Sequence, residues 1–213
     1  MEICPDELSN SVRYNLLSGL VVPRPIAWVS SCARDGTINL APFSYFNIVG
    51  HAPMAISISV IGRKPDGSAK DTGRNLMPVD EGGSGAFVVN LVSEHQVAAM
   101  AKTARPLTAR ESEFTLAGLK SIPARCIGAP RVAGAFAALE CRTLTVVPVG
   151  SLRLFVAEVV HIAIDDRVID ENHHIDYTQL AAIGRMAGSV YSRTTDRFSL
   201  PNEDYFPAAR AAR

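Results

Sequence analysis

The chain has 213 residues, 47% of them hydrophobic, with 21 basic and 21 acidic side chains. This length and composition suit one globular domain over residues 1–213, which can bury a sizeable core without disulfides or a structural metal. The balanced charge provides neither a basic field for nucleic acid nor an acidic tail, so we expect small molecules or copies of the same chain as partners.

The cysteines and the first residues of the chain indicate the cellular compartment of the protein. The four cysteines lie far apart and include no CxxC pair, which favours reduced thiols over a zinc site or a disulfide framework. Residues 1–20 lack the basic start and apolar run of a secretory signal. No uncharged stretch approaches the roughly 20 residues that a membrane-spanning helix needs. We therefore expect a soluble cytoplasmic protein.

A β-hairpin is the first predicted element. Segment 21–32, VVPRPIAWVSSC, is rich in β-branched and aromatic residues and runs into the turn signal RDG at 34–36, after which TINLAPF follows. Residues 54–62, MAISISVIG, then alternate with period two, which predicts a strand with one apolar face. Its hydroxyl face, with Ser57 and Ser59, lines either a binding site or the solvent side of the sheet.

Two helices and a second hairpin follow. Residues 70–78, KDTGRNLMP, predict a short helix that opens at Asp71 or Thr72. After the strand AFVVNLV, the pattern S-x-x-Q at 93–96 predicts a capping box ahead of a second helix. Residues 103–135 are predicted to be mostly loops. Segments 138–149 and 152–164 predict long strands joined at Gly150 and Ser151.

The order of these elements indicates the fold class. Strands are predicted before, between and after the helices, without a regular βαβ alternation. This order favours a mainly β, antiparallel barrel with attached helices over a doubly wound sheet. The tail from about residue 193 is polar and interrupted by proline, so we expect an arm over the surface or over a partner.

Residues 39–47, NLAPFSYFN, mix polar side chains with aromatic rings. Each aromatic residue alone is more often core than ligand wall. However, the predicted hairpin also carries Ser30, Ser31, Ser44 and Asn47, whose polar groups a dry core would leave unsatisfied. This combination indicates a site for a flat ligand with polar edges.

Four segments resemble, in the same order, motifs of the flavin reductase-like FMN-binding split barrels related to flavoredoxin: PRPIAWVSS (23–31), NLAPFSYFN (39–47), KDTGRN (70–75) and FVVNLV (87–92). The resemblance spans roughly residues 12–195. It implies a six-stranded antiparallel split barrel of Greek-key type and a homodimer that holds FMN near its interface. It also implies hydride transfer from NADH or NADPH to FMN, with a monooxygenase as the partner that receives reduced flavin. The alternatives are a flavoredoxin-type electron carrier and a non-catalytic flavin-binding protein.

The resemblance, together with the polar face of the third strand, provides the candidate FMN-binding residues. They are Trp28, Ser30 and Ser31 on the first strand, Phe43, Ser44, Tyr45 and Asn47 after the second, Ser59 on the third, Lys70, Asp71, Thr72 and Asn75 at the phosphate end, and Arg185 and Tyr191 near the C-terminus.

Other assignments of these residues stay open on the sequence alone. Thr72 and Asn75 share one helix face near a terminus that favours anions, yet an ordinary helix with Asp71 as its N-cap has the same pattern. Arg185 either reaches the nucleotide or makes a surface ion pair. Asn90 bonds either backbone or cofactor.

No residue is predicted to be a nucleophile, an acid or a base, because the cofactor would supply the chemistry. The sequence contains no GxSxG elbow, and its five histidines show no HExxH or facial-triad spacing. We therefore predict no catalytic side chain and no metal site.

Overall fold

The computed structural model describes residues 1–61, 67–105, 107 and 112–200. The α-helices are α1 (Asn10–Leu20), α2 (Asp71–Asn75), α3 (Val97–Lys102), α4 (Glu113–Ala117) and α5 (Tyr177–Leu180). Single 3-10 turns lie at Pro5–Glu7, Val79–Glu81, Glu94–Gln96 and Asp166–Val168. The strands are β1 (Arg24–Pro25), β2 (Ala27–Cys32), β3 (Ile38–Phe43), β4 (Phe46–His51), β5 (Met54–Ile61), β6 (Ala86–Leu91), β7 (Ser121–Ile122), β8 (Arg131–Val132), β9 (Ala137–Val149), β10 (Leu152–Ile164), β11 (Ile183–Arg185) and β12 (Tyr191–Arg193).

An antiparallel sheet with the strand order β3-β2-β6-β9-β10-β5-β4 dominates the fold. Its two edge strands, β3 and β4, are consecutive in sequence and are joined by only Ser44 and Tyr45. The sheet must therefore curl until its edges meet, and the Tyr45 carbonyl accepts a hydrogen bond from the Ser59 amide at 2.8 Å on the β5 side. We call residues 43–46 the seam.

The mainly β, antiparallel class predicted from the sequence is confirmed, but the six-stranded detail is not, because the main sheet has seven strands. The difference lies at the seam. Two residues interrupt what would otherwise be one bent strand over residues 38–51, so that β3 and β4 pair with different neighbours.

One face of the sheet encloses the barrel core. Its fully buried members include Val29, Ile58, Phe87, Val89 and Phe155. The period-two prediction for β5 is confirmed, since its three isoleucine and valine positions 56, 58 and 60 are buried while Ser57 and Ser59 are half-buried. Each such aliphatic or aromatic side chain stabilises the fold by about 1.5–3 kcal/mol on full burial.

A second cluster covers the other face of β2. Trp28 and Leu40 pack there with Met100 of α3, Phe114 of α4 and Ile183 of β11. Strand β2 is therefore buried on both faces, and five of its six residues are buried.

Several local predictions need correction. The first strand begins at Ala27 rather than near Val21, because Arg24 and Pro25 pair with β11 in a separate sheet of the order β1-β11-β12. Helix α1 was not predicted, although Ser9 at its N-cap accepts a bond from the Val12 amide.

The predicted capping box at 93–96 does not form. Ser93 makes no side-chain cap bond, and the segment after it is a 3-10 turn that precedes α3. The long hairpin is confirmed, with Gly150 at φ 57° in the turn between β9 and β10.

Strand β12 (Tyr191–Arg193), which pairs with β11, ends where the C-terminal arm was predicted to begin, and the arm itself stays a prediction. Arg197 lies over the Tyr177 ring, and residues 201–213 of the predicted arm lie outside the described residues. A single domain over 1–213 stays a prediction. Within the described ranges, no helix has both the length and the apolar character to cross a membrane.

Candidate functional site

Two adjoining cavities, of about 390 and 620 Å³, lie along the seam and share Pro42, Phe43 and Ala104. We call them together the seam groove. One end, the Lys70 end, is lined by Lys70, Asp71, Thr72, Thr103 and Arg105. The other end, the Arg185 end, is lined by Tyr14, Ser44, Arg185, Gly188 and Tyr191. The groove thus has polar ends and a largely apolar middle.

Helix α2 is tied to the sheet by bonds between amides and hydroxyls. The Asn39 Nδ2 donates to Thr72 Oγ1 at 2.8 Å, and the Asn75 Nδ2 donates to Ser31 Oγ at 3.1 Å. Thr72 and Asn75 are both buried, at 2% exposure. Because each bond fixes one end of this single-turn helix, the backbone that carries Lys70 is held in place beside the groove.

The N-cap position of α2 is Lys70, not Asp71, and no side chain caps the helix. The interpretation of Asp71 as the N-cap is therefore wrong. Its carboxylate instead lies 3.0 Å from the Arg74 guanidinium. The second acid at this end, Glu113, accepts a bond from the Leu40 amide at 3.2 Å.

The two basic side chains at the Lys70 end differ from these acids in having no partner within the described residues. The side chains of Lys70 and Arg105 make no hydrogen bond or ion pair with any other described residue. Protein groups engage the two acids, whereas the two cations face the groove without partners in the described part of the chain. This arrangement favours an anionic ligand group.

The Arg185 end is built by the small sheet. Strands β11 and β12 pair Arg185 with Tyr191, and the Arg185 guanidinium lies 4.6 Å from the centre of the Tyr191 ring. Arg185 also donates to the Gly188 carbonyl. The alternative of a surface ion pair for Arg185 finds no support among the described residues, and the structure brings Arg185 and Tyr191 together with Phe43 and Ser44.

Three predicted residues lie on β2, away from the groove. Trp28, Ser30 and Ser31 are fully buried. The Trp28 indole donates to Thr103 Oγ1 at 2.9 Å, and the Ser30 hydroxyl donates to the Pro130 carbonyl. Since their polar atoms are satisfied within the protein, these residues hold the groove walls in place, and their direct contact with a ligand stays a prediction.

Three further predicted residues lie next to the groove without lining it in the described part of the chain. Asn47 is exposed, and its Oδ1 accepts from the Ile48 amide at 2.8 Å. Tyr45 and Ser59 meet through the backbone bond at the seam. Their contact with a ligand also stays a prediction.

The alternatives for Asn90 are resolved in favour of bonds within the protein. Its Nδ2 donates to the Trp28 carbonyl at 2.9 Å and to Ser30 Oγ at 3.1 Å, and its Oδ1 accepts from the Val132 amide at 2.8 Å. Asn90 thus ties β2 and β8 together beneath the groove.

The sequence interpretation missed Arg24, Thr103, Arg105 and Glu113. Thr103 and Arg105 fall in the stretch predicted to be loops, where no periodicity marks them. Arg24 did carry a signal, because it is a charged residue between two prolines ahead of an apolar strand. Among the residues that the structure describes, no group of three or more His, Cys, Asp or Glu is placed to hold a metal ion.

The family model for the flavin reductase like domain matches residues 18–181. The chain belongs to the flavin reductase-like family. An uncharacterized protein of Halalkalibacterium halodurans is 38% identical over 206 residues, which cover 94% of this chain and 95% of that protein.

Two solved structures are similar to this protein over almost the whole chain. Nitrilotriacetate monooxygenase component B from Bacillus cereus is 35% identical, with a TM-score of 0.86 and coverage of 94% of this chain and 98% of that one. The 2-nitrobenzoate 2-nitroreductase of Pseudomonas fluorescens is 30% identical, with a TM-score of 0.84 and coverage of 98% and 100%. The flavin reductase-like fold is therefore established for this chain, and its relatives include oxidoreductases.

Proposed function

We propose that this protein binds FMN in the seam groove and transfers hydride to it from NADH or NADPH, in the cytoplasm. The observation that carries the proposal is the groove itself, which combines unpartnered cations at one end, an apolar middle and a polar end with a stacked Arg–Tyr pair. The groove is lined by residues of three segments that the resemblance to flavin reductases singles out, namely residues 42–44, residues 70–72 and the C-terminal segment with Arg185 and Tyr191.

The groove fits FMN in its donor set. Lys70 and Arg105 offer two positive charges to the phosphate. Pro42 and Phe43 form an apolar surface between the ends, suited to a flat ring. At the other end, the Ser44 hydroxyl is placed to bond a polar ring edge.

Bound FMN supplies the redox chemistry, and the protein binds, orients and shields it. Phe43 and Met100 exclude water from the middle of the groove. The Arg185–Tyr191 pair lies where a nicotinamide nucleotide approaches the open face, with Arg185 placed for a phosphate and Tyr191 for stacking. No side chain acts as an acid or a base in this proposal.

We also propose a homodimer. Exposed aliphatic side chains concentrate on the four neighbouring strands β9, β10, β5 and β4, namely Leu144, Val147, Val149, Ile162, Met54, Ile61, Ile48 and Val49. Apolar exposure over adjacent strands is typical of a protein interface. A second copy of the chain fits the family resemblance, because strand β4 runs directly into the seam.

Anaerobic mixing of the FMN-loaded protein with NADH or NADPH tests the proposal. We expect the visible absorption of the oxidised flavin to bleach within the mixing experiment. Flavin that is bleached by dithionite but by neither nicotinamide nucleotide would identify an electron carrier of the flavoredoxin type. A purified protein that binds no added FMN would refute the proposal altogether.

The similarity to a monooxygenase component B supports a role in supplying reduced flavin. We expect the FMN-loaded protein, supplied with NADH or NADPH, to sustain turnover of a flavin-dependent monooxygenase that lacks its own reductase. Turnover that stops when a flavin trap is added would indicate free reduced flavin as the product passed on.

A further inference from the structure

Arg24 is a buried arginine, with only 7% of its surface exposed. Its guanidinium donates to four neutral acceptors from three parts of the chain. Nη1 donates to the Ser18 carbonyl at 2.5 Å and to the Val21 carbonyl at 2.7 Å, and Nη2 donates to the Met186 carbonyl at 3.0 Å. Nε donates to Ser44 Oγ at 3.4 Å.

No carboxylate pairs with this buried charge. Among the described residues, no Asp or Glu oxygen lies within the 4.0 Å limit of an ion pair with Arg24. The carbonyls of Ser18 and Val21 belong to the C-terminal turn of α1, whose dipole offsets part of the charge. Burying a cation without a counter-ion costs free energy, so the burial of Arg24 calls for a second explanation.

The position of Arg24 supplies one. Ser44 lines the Arg185 end of the seam groove and accepts from Arg24 Nε. Because the hydroxyl oxygen is engaged by the guanidinium, its hydrogen is available to donate into the groove. The charge of Arg24 is thus connected to the groove through a single side chain.

Building on the proposed function, we propose that Arg24 is a positioning residue that, through Ser44, stabilises the negative charge gained by the flavin ring on reduction. The oxidised ring is neutral and gains little from a nearby cation. The reduced ring is an anion and gains more, and this gain is large where water is excluded. Arg24 therefore strengthens the binding of reduced FMN relative to oxidised FMN and raises the midpoint potential.

The test compares the dissociation constants of oxidised and reduced FMN, with the midpoint potential measured by spectroelectrochemistry. For Arg24→Gln we expect reduced FMN to bind about tenfold more weakly relative to oxidised FMN, which equals a midpoint potential about 30 mV more negative. Arg24→Lys keeps the charge and is expected to keep most of the potential. Ser44→Ala removes the connection and is expected to lower the potential as Arg24→Gln does.

Arg34→Gln is the matched control. Arg34 also donates to two backbone carbonyls, those of Val79 and Gly83, but it does not line the seam groove in the described residues. We expect its midpoint potential to match that of the wild type.

An unchanged potential in Arg24→Gln with FMN bound would overturn the inference, because a purely structural role for Arg24 predicts that result. If Arg24→Gln does not fold, Ser44→Ala decides in the same way. A wild-type protein that binds no FMN would instead refute the proposed function, so the two failures are distinguishable.

Discussion

Asn39 shows how one amide in a strand prepares a binding groove. It lies on β3, is 8% exposed, and donates to Thr72 Oγ1 across to α2. A buried amide with its partner in place contributes about 1 kcal/mol, and it costs more when the partner is lost. Asn39 therefore fixes the turn that carries Lys70.

Replacing Lys70 by glutamine removes one unpartnered cation from the Lys70 end. We expect Kd for FMN to rise roughly tenfold or more, since a charge-assisted bond to phosphate is worth about 1.5–3 kcal/mol. Quenching of flavin fluorescence on titration measures this. Lys102→Gln, an exposed change of equal charge on α3, is the control, and equal affinities for the two variants would contradict the assignment.

The buried thiol of Cys141 makes the free energy of unfolding depend on pH in the alkaline range. Burial raises the pKa of its thiol far above 9.0, and the nearby Glu140 carboxylate raises it further. Below pH 9.0 the thiol is neutral in both states. Above it the unfolded chain ionises while the folded chain does not, so the free energy of unfolding falls as pH rises, by about 1.4 kcal/mol per pH unit.

Urea unfolding of the wild type and of Cys141→Ala over a pH series measures this effect. We expect the difference between their free energies of unfolding to be constant below pH 9.0 and to shrink above it. A difference that stays constant across the whole series would show that Cys141 ionises in the folded state.

The residues that the sequence predicted best are those whose type decides their place. The alternation of apolar and polar residues along β5 predicts that Ile58 is buried, and the residues that follow Lys70 predict that it lies at the start of a helix. The complete burial of Ser30 and Ser31, which lie on opposite faces of β2, was not predictable, because their partners, the Pro130 carbonyl and the Asn75 amide of α2, are distant in sequence. Arg105 was missed because its position comes from tertiary packing alone.

At the scale of elements, the small sheet β1-β11-β12 holds the Arg185 end. Gly184 of β11 lies so close to Pro23 that an added Cβ would come within 2.7 Å of the proline Cβ and of Ser192 Oγ. The serine can rotate away but the proline ring cannot, so only glycine fits between them.

We expect Gly184→Ala to displace β11 and with it the adjoining Met186 carbonyl, which holds Arg24 beside Ser44, so that FMN binding weakens several-fold while the main barrel stays folded. Overpacking of this kind costs about 1–3 kcal/mol. Circular dichroism and flavin titration measure both effects. Gly128→Ala, where no atom lies within 4 Å of the added Cβ, is the control, and a Gly184→Ala protein with unchanged affinity would contradict the role of the sheet.

The elements that the sequence predicted are those with strong local signals. The long hairpin β9–β10 has a glycine turn and alternating strands, and it forms as expected. The capping box failed because Ser93 bridges to Ala182, and Glu94 pairs with Arg193 at 2.6 Å. These partners lie about 90 to 100 residues away, so a local pattern could not reveal them.

At the scale of the whole molecule, one substitution on β4 tests the proposed dimer interface. Ile48 on β4 is 78% exposed among other exposed aliphatic residues. We expect Ile48→Asp to shift the protein from dimer to monomer, because a buried charge at an apolar interface is costly. Light scattering after size exclusion measures the mass.

Val79→Asp is the control for this change, because Val79 is 62% exposed on a 3-10 turn away from strands β4 and β5. We expect it to keep the mass of the wild type. A wild-type protein that is already monomeric at micromolar concentration would refute the dimer itself.

The seam has a consequence for the order of folding. Its two sides, β3 and β4, are neighbours in sequence, yet five other strands lie between them in the sheet. The barrel therefore closes only after the long hairpin has joined β6 to β5, a contact of high sequence separation that forms slowly. Since Phe43 and Ser44 belong to both the closure and the groove, recovery of flavin quenching during refolding would time the last step of assembly, after the return of the β-sheet signal.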